Sequence, residues 1–171
     1  MKQLLFVVIA LAASAALADI ESFCGFKFGD TIGERPKTHQ GTGKLSTSRV
    51  MEKPFRSFSK NAFLSATPKT RQICAVKLSC NLTKDSAEGE QQETAAVLKK
   101  KYGVEPVITT PTRGSCIYTY DVGNCIITLK RVASVLTLSA ESKALEALRQ
   151  KECKEVVADN LKKDGDGADV L

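Results

Sequence analysis

Behind the short cationic start Met1-Lys2-Gln3, the residues from Leu4 to Ala13 form an unbroken apolar run. That run is too short to cross a bilayer, which takes about 20 apolar residues. It closes on Ala16-Leu17-Ala18, the small-x-small pattern of a signal-peptide cleavage site. Residues 1–18 are therefore expected to be a signal peptide cut between Ala18 and Asp19, leaving a soluble mature chain. Charges interrupt every later apolar run, so no transmembrane segment is expected. Cys24 stands well inside the mature chain rather than at the cut, which argues against a lipid anchor.

Beyond the cut, the pattern alternates between strand-like and helix-like periods. Residues 19–60 are turn-rich, with short strands expected around Phe26–Phe28 and Phe55–Ser59. Phe63–Thr67 and Gln72–Cys80 read as two strands joined at Pro68-Lys69, because proline presets the first torsion of a turn. In the second strand Cys74, Val76, Leu78 and Cys80 fall on one apolar face. Ser86 to Tyr102 reads as a helix capped by Asp85 or Ser86 and stopped by Gly103. Its inward stripe is Ala87, Gln91, Ala95, Leu98 and Tyr102, and Lys99, Lys100 and Lys101 suit the negative end of the helix dipole.

Arg113 to Ala140 reads as a three-stranded meander. Cys116–Val122 leads through Gly123-Asn124 to Cys125–Lys130, and Val135–Ala140 follows. With Val122 opposite Cys125, one face gathers Cys116, Tyr118, Tyr120, Cys125, Ile127 and Leu129, completed by Leu136 and Leu138. A last helix is expected over Ser142–Leu161, with Leu145, Leu148, Cys153 and Val156 on one side. The expected fold is α+β: antiparallel sheet from two successive β-rich units, each followed by a helix. The expected organisation is a signal peptide at 1–18, one domain at 19–163 and a disordered polar tail at 164–171.

Composition adds bounds. The formal charge is +6, which favours anionic surfaces without specifying one. Trp is absent and aromatics make up 6%, which counts against a base-stacking platform and so against specific nucleic-acid binding. The six cysteines, Cys24, Cys74, Cys80, Cys116, Cys125 and Cys153, all follow the cut. In an oxidising compartment an even set predicts disulfides. Cys74 and Cys80 share a strand, and Cys125 lies opposite Val122 or Tyr120 rather than Cys116, so neither couple should pair. The expected disulfides are long-range links that stabilise the fold.

Candidate chemistry is sparse. His39, the single histidine, sits in a Gly/Thr/Lys loop without an evident partner. Glu88, Glu90 and Glu93 suit a solvated helix face. Asp164, Asp166 and Asp169 echo the start of a calcium loop but lack its later ligands. Asn81-Leu82-Thr83 is a glycosylation sequon, with meaning only in a eukaryote. No catalytic residue, metal or cofactor is expected. The feature singled out as a binding surface is Thr119, Thr128 and Thr137, aligned across the outer face of the meander and flanked by Ile117, Ile126 and Val135. Threonine also simply suits solvated strands.

FCGFKFG at 23–29, ATPKTRQICAV at 66–76 and KKKYG at 99–103 resemble small exported bacterial proteins of uncharacterised function. Those show a GFKFG-like start, a strand after a TPKT-like turn and a helix ending in KYG. The resemblance covers most of the mature chain and implies export, but it brings no catalytic residues. The strand–helix alternation is also similar to tandem-repeat inhibitor and envelope-assembly folds such as the β-lactamase inhibitory protein, a likeness of architecture that does not carry function. Together these features predict a secreted or periplasmic, non-enzymatic binding or envelope-associated protein. Its expected partner is a protein or an anionic envelope component. A secreted-enzyme inhibitor and an enzyme of unrecognised type are the alternatives.

Overall fold

The computed structural model describes residues 19–33, 37–38 and 43–165. The expected signal peptide, His39 and the tail from residue 166 onward lie outside the described residues. Among the described residues ten strands and two helices follow one another: β1 (Ser22–Phe23), β2 (Phe26–Lys27), β3 (Lys37–Thr38), β4 (Leu45–Val50), β5 (Asn61–Ala66), β6 (Ile73–Asn81), α1 (Lys84–Tyr102), β7 (Val107–Thr109), β8 (Ser115–Val122), β9 (Cys125–Val132), β10 (Val135–Ser142) and α2 (Lys143–Gly165). The α+β class is as expected. The two β-rich units join in one eight-stranded sheet of order β3-β4-β5-β6-β10-β9-β8-β7, antiparallel at every pairing.

The seam between the units is β6 against β10, from Val135 opposite Asn81 to Glu141 opposite Ala75. The last strand of each meander meets the last strand of the other, so the sheet has an internal quasi-two-fold order. Alternation then sets a single inner face. Val76, Leu78, Tyr120, Cys125, Ile127, Leu129, Leu136, Leu138 and Ala140 are all fully buried on it. Each large aliphatic there contributes about 1.5–3 kcal/mol relative to exposure. The Val122–Cys125 pairing fixes the Gly123-Asn124 hairpin in the expected register.

Helix α1 follows the first unit but packs on β9 and β10 of the second, whereas α2 packs on β6 and β10. Thr83, not Asp85 or Ser86, caps α1 by accepting from the Ser86 N–H, because the chain leaves the extended region at that residue. Gly103 ends the helix at φ 69°, and its N–H donates to the Lys99 carbonyl. Ala87, Gln91, Thr94 and Leu98 are buried, so the inward stripe turns slightly toward Thr94 from the one expected. Helix α2 runs to Gly165, which takes Asp164 and Gly165 out of the expected tail.

Strands β4 and β7 run through segments that read as turn or connection. β4 (LSTSRV) is dominated by polar residues, and β7 lies between Pro106 and Pro111. Phe55–Ser59 is not a strand but an irregular segment with Arg56 at φ 49°. It drops Phe58 into the core, with the ring centroids of Phe55 and Phe58 5.9 Å apart.

The cysteines correct the expectation of disulfides: all six are unpaired. For the four cysteines of the eight-stranded sheet the register supplies the reason. Ser142 faces Cys125 across β9–β10, one residue beyond the Glu141–Ala75 pair that brings β10 alongside Cys74. Cys74 and Cys125 therefore stand two strands apart, roughly 10 Å. Leu136 and Arg131 stand between Cys80 and Cys116 in the same way. A disulfide needs Cα atoms within about 7 Å. The cysteines of the strands instead serve as small apolar side chains, with Cys74 and Cys125 completely buried.

Candidate functional site

The side of the sheet opposite the core carries a row of exposed and half-buried residues. One row crosses six strands: Phe63 faces Lys77, Lys77 faces Ser139, Ser139 faces Thr128, Thr128 faces Thr119, and Thr119 faces Val107. At a strand spacing of about 4.8 Å the row is roughly 24 Å long. Phe63 is 50% exposed at one end and Val107 67% exposed at the other, while the middle is built from short hydroxyl side chains. Thr119 and Thr128 are direct partners, as the sequence suggested. Thr137 is not in line with them, since it faces Lys130 and Ser79. The two-residue turn at Ala133-Ser134 sets that offset. Thr137 remains on the same face, and Ser139 takes the place expected for it.

Charges on this face are few. Lys77 and Glu141 alternate with Ser139, Thr137 and Ala75 along the seam, Lys130 lies beside Thr137 and Ile117, and Asp121 is paired with Lys143 across the β8–β9 turn. Ile117 and Ile126 add half-buried apolar surface. The arrangement can offer shape, methyl groups and hydroxyl groups, and it holds no convergent acid, base and nucleophile.

The opposite side is locked to its covering elements by polar contacts. Gln91 of α1 is buried; its Nε2 donates to the Cys116 carbonyl at 2.9 Å, and its Oε1 accepts from Arg131 Nε at 2.9 Å. The Tyr120 hydroxyl donates to the Ala95 carbonyl, and burial pushes its pKa up to about 12. Arg56 donates to Glu90 at 2.7 Å and also to Glu93, fastening the 51–58 segment to α1. Glu152 of α2 is buried and accepts from the N–H groups of Lys69 and Thr70, which pins the β5–β6 turn. Asn124 clamps Ile20: its Oδ1 accepts from the Ile20 N–H at 2.8 Å and its Nδ2 donates to the Ile20 carbonyl. Of these anchors only Gln91 stood out in the sequence, as part of a helical stripe. Asn124 and Glu152 have partners far away in the chain, so no local pattern reveals them.

Burial governs the thiols. It pushes Cys74 up to about 12, Cys125 up to about 11 and Cys24 up to about 11, the last against the opposing charge of Lys101. These groups are neutral near pH 7 and poor nucleophiles. Cys24 also lines a cleft of about 550 Å³ between the β1–β2 turn and residues 50–55, floored by Phe26, Met51 and Phe55. Among the described residues no cluster of His, Cys, Asp and Glu is placed to hold a metal ion, and no helix is long and apolar enough to cross a membrane. Asn81, the sequon residue, is exposed at the end of β6.

Comparison of the chain with protein-family models, with curated proteins and with solved structures finds no match.

Proposed function

We propose that this is an exported, non-enzymatic binding protein that docks a protein partner on the open face of its sheet. The aligned row from Phe63 to Val107, exposed at its ends and half-exposed along its middle, is the observation that carries the reading. A hydrogen-bonded sheet holds such a row rigid, and short Ser and Thr side chains lose little rotamer entropy on docking. Phe63 and Val107 supply apolar anchors at its ends. A row of this length fits across a patch of about 800 Å², the usual size of one side of a stable interface. Export is supported by the pattern of residues 1–18 and by the exposure of Asp19, which leaves room for a new chain end beside the Ile20 clamp.

The test uses the mature chain as bait for proteins from its native compartment. Thr128→Lys is expected to keep the wild-type denaturation midpoint, because the side chain points away from the core, and to lose the partner that wild type retains. Gln92→Lys, on the exposed side of α1, should retain it. Identical capture by Thr128→Lys and wild type would overturn the proposal.

A further inference from the structure

Two arginines converge on Gly33, on the core side of the sheet and away from the row between Phe63 and Val107. Residues 29–33 are fastened to the start of β6: the Gly29 N–H donates to the Ile73 carbonyl, the Ile73 N–H to the Asp30 carbonyl and the Ile32 N–H to the Arg71 carbonyl. Gly33 is thereby held beside Arg71, whose Nη2 donates to the Gly33 carbonyl at 2.8 Å. Arg49 reaches the same residue from β4. It is opposite Ala62, which is fully buried, so its side chain leaves the strand on the core side. Its Nη2 stands in the space that a side chain on Gly33 would fill. The two terminal nitrogens therefore lie within one Debye length, about 8 Å at physiological ionic strength, where salt screens little.

Among the described residues neither guanidinium meets a carboxylate, although Arg56, Arg131 and Arg149 each do. Arg71 Nε is buried and, among the described residues, has no hydrogen-bond partner. Buried donors are seldom left so, and an ion drawn to the group is one of the recognised reasons. The backbone points the same way. Arg71 sits in the β5–β6 turn at φ 59°, its N–H donating to the Thr67 carbonyl at 2.9 Å. Glycine or asparagine would adopt that left-handed conformation at less cost. An arginine held there offers its side chain in return, and disfavoured backbone of this kind gathers at ligand sites.

We infer that Arg49 and Arg71 bind a phosphate group at Gly33, as the free ion or as a soluble or lipid-borne monoester. Each guanidinium fork matches a pair of phosphate oxygens. Two forks meeting from different sides suit a tetrahedral dianion better than a planar, singly charged carboxylate. Gly33 admits Arg49 because it has no side chain. The site is independent of the sheet row and needs no partner docked there.

Inorganic phosphate and acetate are titrated calorimetrically into the mature protein at constant ionic strength and about pH 8, where phosphate is largely doubly charged. Phosphate should bind saturably at one site, at least about tenfold tighter than acetate. Arg49→Gln and Arg71→Asn, the latter suited to the left-handed turn, should each weaken it about fivefold or more. Gly33→Ala should also weaken it, with both charges retained, by displacing the Arg49 guanidinium. Arg113→Gln removes an equal charge just before β8, at the far end of the sheet, and should bind as wild type. Arg49 is exposed, so an unchanged denaturation midpoint for its variant verifies the fold. Glycerol 3-phosphate and phosphatidic acid vesicles separate the sources. Capture by the vesicles that Arg49→Gln loses assigns a lipid headgroup, binding of glycerol 3-phosphate alone assigns a soluble ligand, and either supports the site. The inference fails if acetate binds as tightly as phosphate, or if Arg49→Gln or Gly33→Ala binds like wild type. It also fails if Arg113→Gln weakens binding equally, which would make the attraction one of net charge.

Discussion

Six unpaired thiols call for a physical account, because the oxidising compartment that the proposed export implies would drive accessible cysteines into disulfides. Burial provides it. Cys74, Cys80 and Cys125 lie inside the sheet–helix layer, and burial raises the pKa of each, so the reactive thiolate is scarce and shielded. Iodoacetamide at about pH 8 should therefore leave these three unlabelled in the folded protein, while half-buried Cys116 and Cys153 react first. Cys24 should react slowly, since burial holds its thiol neutral. After unfolding without reductant all six should label, as read by mass spectrometry. A pair that labels only after reduction would show that the chain had been oxidised.

Elements are held together by ion pairs whose protonation matters. Glu90 ties α1 to the 51–58 segment, and the hydrogen bond from Arg56 is the main reason its carboxyl titrates below the usual value of 4.5. A carboxyl with a lower pKa in the fold than in the unfolded chain adds stability above the unfolded value. That stability is lost as the pH falls through the folded value. The pair is partly open to solvent, so Glu90→Gln should cost no more than about 1 kcal/mol near pH 7. Urea midpoints should then fall less steeply for the variant than for wild type between about pH 5 and pH 3. Parallel curves would place the acid sensitivity in other groups. Gln91, on the adjoining position, needs no ionisation, and its contacts with Arg131 and the Cys116 carbonyl should persist through that range.

For the whole molecule, the seam decides cooperativity. β6 of the first unit pairs with β10 of the second, and α1 rests on β9 and β10. Neither meander keeps its helix or its inner neighbour when separated. The protein should accordingly unfold in one transition, coincident by far-ultraviolet circular dichroism and tyrosine fluorescence. A fragment ending in the loop after Thr110 should show no cooperative transition of its own, although it contains an entire strand–helix unit. A folded fragment would mean that the units are separate domains.

Local pattern was enough for much of this molecule. Alternation over 73–81 and 115–142 specified strands and their buried face, and of the two registers open at Gly123-Asn124 the structure has the one with Val122 opposite Cys125. The stretch up to Gly103 specified α1 because capping and periodicity are set within a few residues. Strand β4 was hidden because its pairing with β5, not its own Ser- and Thr-rich sequence, makes it a strand. The same limit hid the disulfide outcome. A cysteine count records how many thiols exist, whereas pairing depends on which strands separate them. The threonine row was half legible: Thr119 and Thr128 lie across a short, well-specified turn, but Thr137 depended on the β9–β10 turn, and its place went to Ser139. What the residues alone determined was therefore local: the strand periods and the helix ends. The joining of both units in one eight-stranded sheet, the clamp on Ile20, the free thiols and the cleft at Cys24 bring together groups distant in sequence, and only tertiary packing could decide them.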